Sequence, residues 1–136
     1  MIKVQLLTNT AKPPIKVDPA AVGWDIFADS VRCEGGMLIY STGIAVEPPE
    51  GYFFALYPRS SQSKTESVFG NSVGIVEPEY RGPIEVRLRP VGKFSGVIKD
   101  NTLQPNYAVM DGNYWWEDAN ELPFKIGDRI AQLVLH

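Results

Sequence analysis

Glycine and proline interrupt this chain so often that short strands, and not long helices, are the expected elements. Twelve glycines and eleven prolines are distributed over 136 residues, and both residue types weaken or break helices. Between them lie short runs rich in β-branched and aromatic residues, a pattern typical of an all-β barrel or sandwich. A chain of this length forms one core, so we predict a single domain over residues 1–136.

The predicted strands are apolar runs bounded by turn residues. Ile84, Val86 and Leu88 alternate with charged or polar neighbours, as in a half-buried strand. The sequence Pro-Pro-Glu-Gly at residues 48–51 predicts a turn between two strands. The predicted strands are residues 2–7, 24–28, 37–40, 43–47, 52–57, 73–76, 83–89 and 129–135.

Charge and cysteine content exclude several classes of protein. The net charge of -3 argues against non-specific nucleic-acid binding, which depends on clustered Lys and Arg. The charge does not exclude a local basic site for a small phosphate ligand, for which the candidates are Arg59, Arg81, Arg87, Arg89 and Arg129. The single cysteine, Cys33, fits a reducing cytoplasm, and no apolar run approaches the ~18 residues of a membrane span.

Residues 92–123 differ from the rest of the chain. They carry Tyr107, Tyr114, Trp115 and Trp116 but few strand patterns. A segment of this length is long for a connection within a barrel, so we expect it to have structure of its own. Two interpretations stay open: a hairpin or short helix that completes the core, or an arm that faces a ligand or a protein partner.

The stretch from residue 70 to residue 82 is the strongest functional signal. The amide of Asn71 offers one donor group and one acceptor, which suits the edge of a pyrimidine. Gly74 allows a flat ring to approach the backbone, and Tyr80 can pack under a sugar. Glu77 can activate a water molecule as a general base. The stretch therefore predicts a pyrimidine-nucleotide pocket with a carboxylate at one end.

Four motifs in order resemble the trimeric dUTPase family, the dUTP nucleotidohydrolases. The first is Ala-Val-Gly-Trp-Asp-Ile-Phe-Ala at 21–28, and the second is Pro-Arg-Ser-Ser at 58–61. The third is Gly-Ile-Val-Glu-Pro-Glu-Tyr-Arg-Gly at 74–82, and the fourth is Gly-Asp-Arg-Ile-Ala-Gln-Leu at 127–133. The resemblance implies a distorted jelly-roll β-barrel of the β-clip type, assembled as a homotrimer with sites between subunits.

The resemblance also implies an activity and a set of site residues. A water would attack the α-phosphate of dUTP and release dUMP and pyrophosphate, with Mg²⁺ on the phosphates and Asp25 holding the metal through water. Glu77 occupies the position of the water-activating carboxylate. Asn71, Gly74 and the backbone of Ile75 and Val76 would read uracil, and Tyr80 would pack under deoxyribose. The implied phosphate ligands are Arg59, Ser60, Ser61 and Gln132.

Each of these residues also has a structural interpretation that the sequence leaves open. Asp25, Asn71 and the two serines are common turn residues, Arg59 is able to pair with a surface carboxylate, and Tyr80 is able to belong to the core. Asp128 reads as a turn residue. His136 is expected to be disordered and has no assigned role.

Three departures from the family pattern favour an alternative, a weak or inactive nucleotide-binding or regulatory protein. Glu77 stands where the family has Asp, and a displacement of about 1 Å costs on the order of 10²-fold in a positioned reaction. The Gly-rich fifth motif, an arm that closes over the phosphates in trans, is absent, which predicts weaker triphosphate binding. The insertion at 92–123 fits a phage-type member acting in host cytoplasm. dCTP deamination is disfavoured, because Arg87 stands where that related family has its catalytic Glu.

Overall fold

The structure, a computed structural model, describes residues 2–90 and 122–136 and the backbone of three short strands between them. One short 3₁₀ helix spans Ser60–Lys64, and every other regular element in this part of the chain is a strand. The strands are β1 (Lys3–Leu6), β2 (Gly23–Phe27), β3 (Ser30–Glu34), β4 (Met37–Ser41), β5 (Ile44–Glu47), β6 (Phe54–Tyr57), β7 (Ser67–Phe69), β8 (Gly74–Val76), β9 (Glu85–Pro90), β10 (Val97–Ile98), β11 (Met110–Asp111), β12 (Tyr114–Trp115) and β13 (Arg129–Leu135).

Two four-stranded antiparallel sheets make up the barrel. One has the order β2-β13-β6-β8 and the other the order β3-β4-β9-β7. β1 and β5 form a separate pair, in which Lys3 lies opposite Glu47. Sequential strands are rarely neighbours in these sheets, because the chain crosses repeatedly between them, as in a jelly roll. The predicted all-β, distorted jelly-roll fold is confirmed.

The core lies between the two sheets and follows the alternation seen in the sequence. Val86 and Leu88 of β9 are fully buried, whereas Arg87 and Arg89 point outward and are exposed. Tyr40, Phe54 and other large apolar side chains fill the interior from β2, β4, β5, β6 and β13. Alternation of inward apolar and outward charged residues is what fixes the register of such strands.

Each of the eight predicted strands is present in the structure, with ends shifted by one or two residues. β6 begins at Phe54 because the Tyr52 N–H donates to the Pro49 carbonyl in the preceding turn. Five strands are not among the predicted ones: β3, β7 and the three short strands β10, β11 and β12 of the 92–123 segment. The 3₁₀ helix was not predicted either. β3 carries Ser30, Arg32 and Glu34 on one face, so its apolar signal is too short to detect.

The chain ends in an ordered strand, so the prediction that His136 is disordered is wrong. Its backbone exchanges two hydrogen bonds with Phe53, of 2.9 and 3.0 Å. Its ring stacks on Phe53 with centroids 5.3 Å apart, and Nε2 lies 3.1 Å from the Tyr57 hydroxyl. These contacts extend the pairing of β13 with β6 by one residue.

Within the 92–123 segment, β10, β12 and β11 pair with one another in a small antiparallel sheet, and β11 lies beside β3. The sequence left two interpretations of this segment open, and they differ in where its aromatic side chains lie. These side chains are outside the described part of the chain. No helix in the described part of the chain has the length and apolar character needed to cross a membrane.

Candidate active site

A cavity of about 330 Å³ opens between β8 and β9, where the sequence predicts the nucleotide pocket. This volume is within the usual range for small-molecule sites. Its wall includes the predicted residues Asn71, Gly74, Ile75, Val76, Glu77 and Tyr80, together with Leu56, Pro83, Ile84, Glu85 and Arg87.

Gly74 lies in the cavity wall, and two neighbouring side chains pack closely against its backbone. It pairs with Leu56 across β8 and β6. A Cβ at this position would lie 3.2 Å from the Leu56 Cβ and 3.3 Å from the Asn71 amide nitrogen. The missing side chain therefore lets the Asn71 amide lie against the strand. Asn71 is exposed, and the turn that carries it passes through Ser72, whose φ is +62°.

A tight turn presents Glu77 and Tyr80 at the mouth of the cavity. The Tyr80 N–H donates to the Glu77 carbonyl over 3.0 Å, and the Tyr80 hydroxyl donates to the Pro83 carbonyl over 2.8 Å. The Tyr80 ring lies against Gly82, where a Cβ would be 2.5 Å from the hydroxyl. Tyr80 is 43% exposed, so its alternative interpretation as a core residue is wrong. Glu77 is also exposed.

Arg81, which does not line the cavity, holds this turn through its contacts with Pro78, Tyr80 and Glu47. Its guanidinium donates to the carbonyls of Pro78 and Tyr80 over 2.5 and 3.1 Å, and it lies 3.1 Å from the Glu47 carboxylate. Glu47 is also paired with Lys3 over 3.2 Å. Lys3, which has the larger effect, and Arg81 both lower the pKa of Glu47, so this carboxylate stays ionised as the partner of Arg81.

A second group of charged side chains surrounds Asp25. One carboxylate oxygen accepts a bond from Arg59 Nε over 3.1 Å, and the other lies 3.4 Å from Nη1 of Arg129. Arg59 Nη1 also donates to the Ser61 hydroxyl and to the Arg129 carbonyl, over 3.3 and 3.4 Å. The Asp25 side chain is only 14% exposed. Two guanidinium groups against one carboxylate leave an excess positive charge at a partly buried surface.

β-sheet register brings Gln132 into the same group. Gln132 lies opposite Asp25 on one side and opposite Tyr57 on the other, so all three point to one face of the sheet. Its amide nitrogen donates to the Pro58 carbonyl over 3.3 Å, which places it beside Arg59. Gly23 leaves room for the amide, since a Cβ there would lie 2.7 Å from the Gln132 Oε1.

The two serines of the second motif begin the 3₁₀ helix that follows Arg59. Ser61 is tied to Arg59, while the Ser60 hydroxyl is exposed and has no hydrogen-bond partner among the described residues. The prediction that Asp128 is a turn residue is confirmed, because its carboxylate accepts the Lys125 N–H over 2.8 Å. Gly127 in this turn has φ +94°, a conformation that favours glycine.

The cavity and the arginine group do not converge within one copy of the chain. β8 and β2 are the opposite edges of one four-stranded sheet, and strands lie about 4.8 Å apart, so the two edges are separated by roughly 14 Å. Gly74 pairs with Leu56 on the core side, whereas Asp25 and Gln132 point to the outer side. We call these two separate groups, after the ligands that the sequence predicts for them, the base half-site (the residues of the cavity) and the phosphate half-site (the residues around Asp25).

The five arginines that the sequence offered for a phosphate site have different positions. Arg59 and Arg129 meet at Asp25, whereas Arg87 lines the cavity and Arg81 braces the turn. Arg89 lies outside both half-sites, and its guanidinium lies 3.9 Å from the Met37 sulfur. Two of the five arginines, Arg59 and Arg129, therefore form a local basic group, and the other three do not belong to it. Arg87 and Arg129 were candidates only for a general basic site, and Glu85 was not a candidate at all, because only the strand pairing reveals the neighbours of these three residues.

The described residues contain no group of three or more His, Cys, Asp or Glu side chains that would form a metal cage. Asp25 is the only carboxylate of the phosphate half-site in residues 2–90 and 122–136, and each of its oxygens already faces one guanidinium. This arrangement does not suit a resident metal ion. It suits a hydrated Mg²⁺ that takes most of its ligands from water and substrate phosphates.

Comparisons with known proteins give a consistent result. No family model matches the chain. Over 133 residues, which are 94% of this chain and 90% of the relative, it is 33% identical to a deoxyuridine 5'-triphosphate nucleotidohydrolase of Leptospira interrogans. The corresponding protein of Escherichia phage T5 is 34% identical over 101 residues, 68% of each chain. A probable member from Schizosaccharomyces pombe is 28% identical, and the match covers 76% of its length.

Solved structures of phage dUTPases have the same fold. The dUTPase of Staphylococcus bacteriophage 80alpha, solved with dUpNHpp, superimposes with a TM-score of 0.68 over the whole of this chain and 82% of its own, at 25% identity. The dUTPase from phage phi11 of S. aureus, solved to visualise a species-specific insert, also gives 0.68 and 25% identity, over 89% of its length. The sequence relatives and the shared fold together show that this chain belongs to the deoxyuridine 5'-triphosphate nucleotidohydrolase (dUTPase) family.

Proposed function

We propose that this protein hydrolyses dUTP to dUMP and pyrophosphate. The observation that carries the proposal is the pair of half-sites: a cavity large enough to hold a nucleobase, lined by the Glu77 carboxylate, and a group with two guanidinium cations around one carboxylate. Members of the family named for this reaction are 33–34% identical to the chain. Each half-site supplies what one part of the substrate requires.

The base half-site would hold deoxyuridine. Asn71 presents an amide to the edge of the ring, and Gly74 leaves space for the ring to lie against the strand. β8 is an edge strand, so the outer backbone groups along Ile75 and Val76 have no strand partner in the described part of the chain and are available to the base. Tyr80 would pack against the sugar, and its ring is fixed by the bond to Pro83.

The phosphate half-site would hold the triphosphate. The Nη2 groups of Arg59 and Arg129 have no protein partner within the described residues, so they are available for charge-assisted hydrogen bonds to phosphate oxygens. The Ser60 hydroxyl, the Ser61 hydroxyl and the Gln132 amide add neutral ligands beside them. A Mg²⁺ ion bound to the substrate would be held through water by Asp25 and would neutralise phosphate charge.

Glu77 is the proposed general base. It would accept a proton from the water that attacks the α-phosphorus; a new P–O bond forms, and the bond to the bridging oxygen of the leaving pyrophosphate breaks. Pro78 restricts Glu77 to extended conformations, and Arg81 holds the turn. This restraint would compensate for the extra methylene of Glu relative to the Asp implied by the family resemblance.

A complete site requires the base half-site of one copy and the phosphate half-site of another, so we propose a homotrimer. The roughly 14 Å between sheet edges and the opposite orientation of Gly74 and Gln132 support this arrangement. Three copies related by a closed rotation would make three equivalent sites. Light scattering at micromolar concentration should give the mass of three chains, and a monodisperse monomer would contradict the proposal.

The activity is tested by incubating the protein with Mg²⁺ and each deoxynucleoside triphosphate in turn and measuring pyrophosphate release. Release from dUTP with little release from dCTP or dTTP is expected, and Glu77→Gln should abolish release while dUTP affinity stays within a few-fold. Tight dUTP binding without any turnover would replace the proposed enzyme with a nucleotide-binding protein.

A regulatory role is the second candidate, and it has a specific observation in its favour. Structural neighbours from Staphylococcus bacteriophage 80alpha are described as phage dUTPases that control transfer of virulence genes. Residues 92–123 would be the place for a protein partner on this chain, in host cytoplasm. Deletion of this segment should then abolish partner capture and leave the barrel folded.

A further inference from the structure

Arg87 is the one cationic side chain among the described residues of the base half-site, and the proposed function gives it no role there. It lies on β9 between the buried Val86 and Leu88, so its side chain points outward. Its carbonyl accepts the Gly70 N–H over 2.9 Å. This bond fixes Arg87 beside the residue that precedes Asn71, and both side chains line the same cavity.

The charge of Arg87 is only weakly used by the protein. Glu85, two residues earlier on the same face, is bound tightly by Arg32 over 2.6 Å and lies 3.4 Å from Arg87. This is the only hydrogen bond of the Arg87 guanidinium among the described residues, and its side chain is 46% exposed. Guanidinium carries five N–H donors and no acceptor, so most of its donors remain available to a ligand in the cavity.

Pyrimidine bases differ at the position that such a group would read. Uracil and thymine carry a carbonyl oxygen at position 4, whereas cytosine carries an amino group there. The Asn71 amide has both a donor and an acceptor and satisfies either base by rotating through half a turn. A guanidinium cannot adapt in this way, because it only donates.

We propose that Arg87 is the residue that selects a pyrimidine with a carbonyl at position 4 and rejects cytosine. The inference rests on the proposed function of the cavity as the base half-site. Binding of cytosine would set its amino group, itself a donor, against a cation that has no acceptor to offer it, so the charge-assisted bond to the ring is lost. Arg32 forms the shorter ion pair with Glu85, so Glu85 binds Arg87 only weakly and leaves its guanidinium available to the base.

The test compares dUMP and dCMP affinities by calorimetry for the full-length protein and three variants. Arg87→Met should reduce the preference for dUMP over dCMP by about 10-fold or more, the loss expected for one charge-assisted bond. Arg87→Glu replaces donors by acceptors and should shift the preference towards dCMP. Arg89→Met removes the same charge from the same face two residues away, outside the cavity, and should leave the ratio unchanged.

An unchanged ratio in a folded Arg87→Met variant would overturn the proposal. Equal losses for both nucleotides would also overturn it, because they would assign Arg87 to the sugar, the phosphate or the scaffold. Thermal unfolding identifies a variant that is simply destabilised. In that case Arg87→Lys, which retains a donor-only cation, should keep the preference for dUMP. Pyrophosphate release from dUTP by the unmodified protein is scored separately. A protein that binds dUMP selectively through Arg87 but releases no pyrophosphate would contradict the proposed hydrolysis and leave the selectivity intact.

Discussion

Tyr40→Phe should destabilise the protein, because the Tyr40 hydroxyl fastens the segment that leads into β13. Tyr40 is fully buried, and its hydroxyl donates to the Phe124 carbonyl over 2.7 Å and accepts the Phe124 N–H over 3.3 Å. The two rings also meet edge to face at 6.1 Å. Phe remains apolar and similar in size, so the substitution removes these two hydrogen bonds and little else.

The magnitude follows from what the substitution leaves behind. Phe124 is itself buried, so its N–H and carbonyl lose their partner without gaining water. Leaving buried backbone groups unsatisfied costs about 1–3 kcal/mol, which corresponds to a fall in Tm of roughly 3–10 °C for a domain of this size. Urea denaturation at neutral pH measures this difference directly.

The same hydroxyl predicts a dependence on high pH. Burial raises the pKa of Tyr40 well above its ordinary value near 10, and the bond to Phe124 opposes this only in part. The unfolded chain therefore loses this proton at a lower pH than the folded chain. The contribution of Tyr40 to stability is complete below pH 10 and declines as pH rises above it. Wild type should lose stability above pH 10 more steeply than Tyr40→Phe.

Tyr57→Phe is the matched control, because it removes a hydroxyl whose bond to His136 is exposed. We expect this change to cost no more than about 0.5 kcal/mol. Equal effects of the two substitutions, or identical slopes above pH 10 for wild type and Tyr40→Phe, would refute the reasoning.

Three further predictions concern the half-sites. Arg59→Ala should weaken dUTP binding about 10-fold or more and leave deoxyuridine binding unchanged, because the lost bonds are to phosphate; equal losses in calorimetry would remove Arg59 from the site. Tyr80→Ala should raise the turnover of UTP relative to dUTP, since the ring no longer crowds a 2′-hydroxyl; a constant ratio would place Tyr80 away from the sugar. Gly74→Ala puts a methyl 3.2 Å from Leu56 and 3.3 Å from Asn71, so it should weaken dUMP binding and leave pyrophosphate binding unchanged, as isothermal titration would reveal.

Much of the fold was predictable because this chain signals its strands locally. The alternation of apolar and charged residues in β9 and the apolar run in β13 predicted both strands and the residues that face the core. β3 and β7 escaped detection for a physical reason: Arg32 pairs with both Glu34 and Glu85, and Ser67 is buried with a hydrogen bond from Gln62. Neither contact leaves a trace in hydrophobic periodicity.

The site was predictable as a list of residues but not as an arrangement. Spacing within residues 70–82 indicated the base half-site, because Asn71, Gly74 and Tyr80 are close in sequence. The phosphate half-site depends on strand pairing between distant segments, and Asp25 and Arg129 are 104 residues apart. Arg87 likewise joins the cavity only through the pairing of Gly70 with β9. Such long-range neighbours follow from topology, which local sequence does not encode.

The central claim is that the base half-site of one copy and the phosphate half-site of another together hydrolyse dUTP. It is tested most directly by mixing two variants, Glu77→Gln and Arg59→Ala, each inactive alone because it damages a different half-site. The two are unfolded together in equal amounts, refolded, and assayed for pyrophosphate release from dUTP. If sites form between copies, random assembly restores about a quarter of them, since each intact site needs one undamaged half from each variant. Recovery of about a quarter of wild-type activity is the predicted result, and a mixture that stays as inactive as its components would contradict the account.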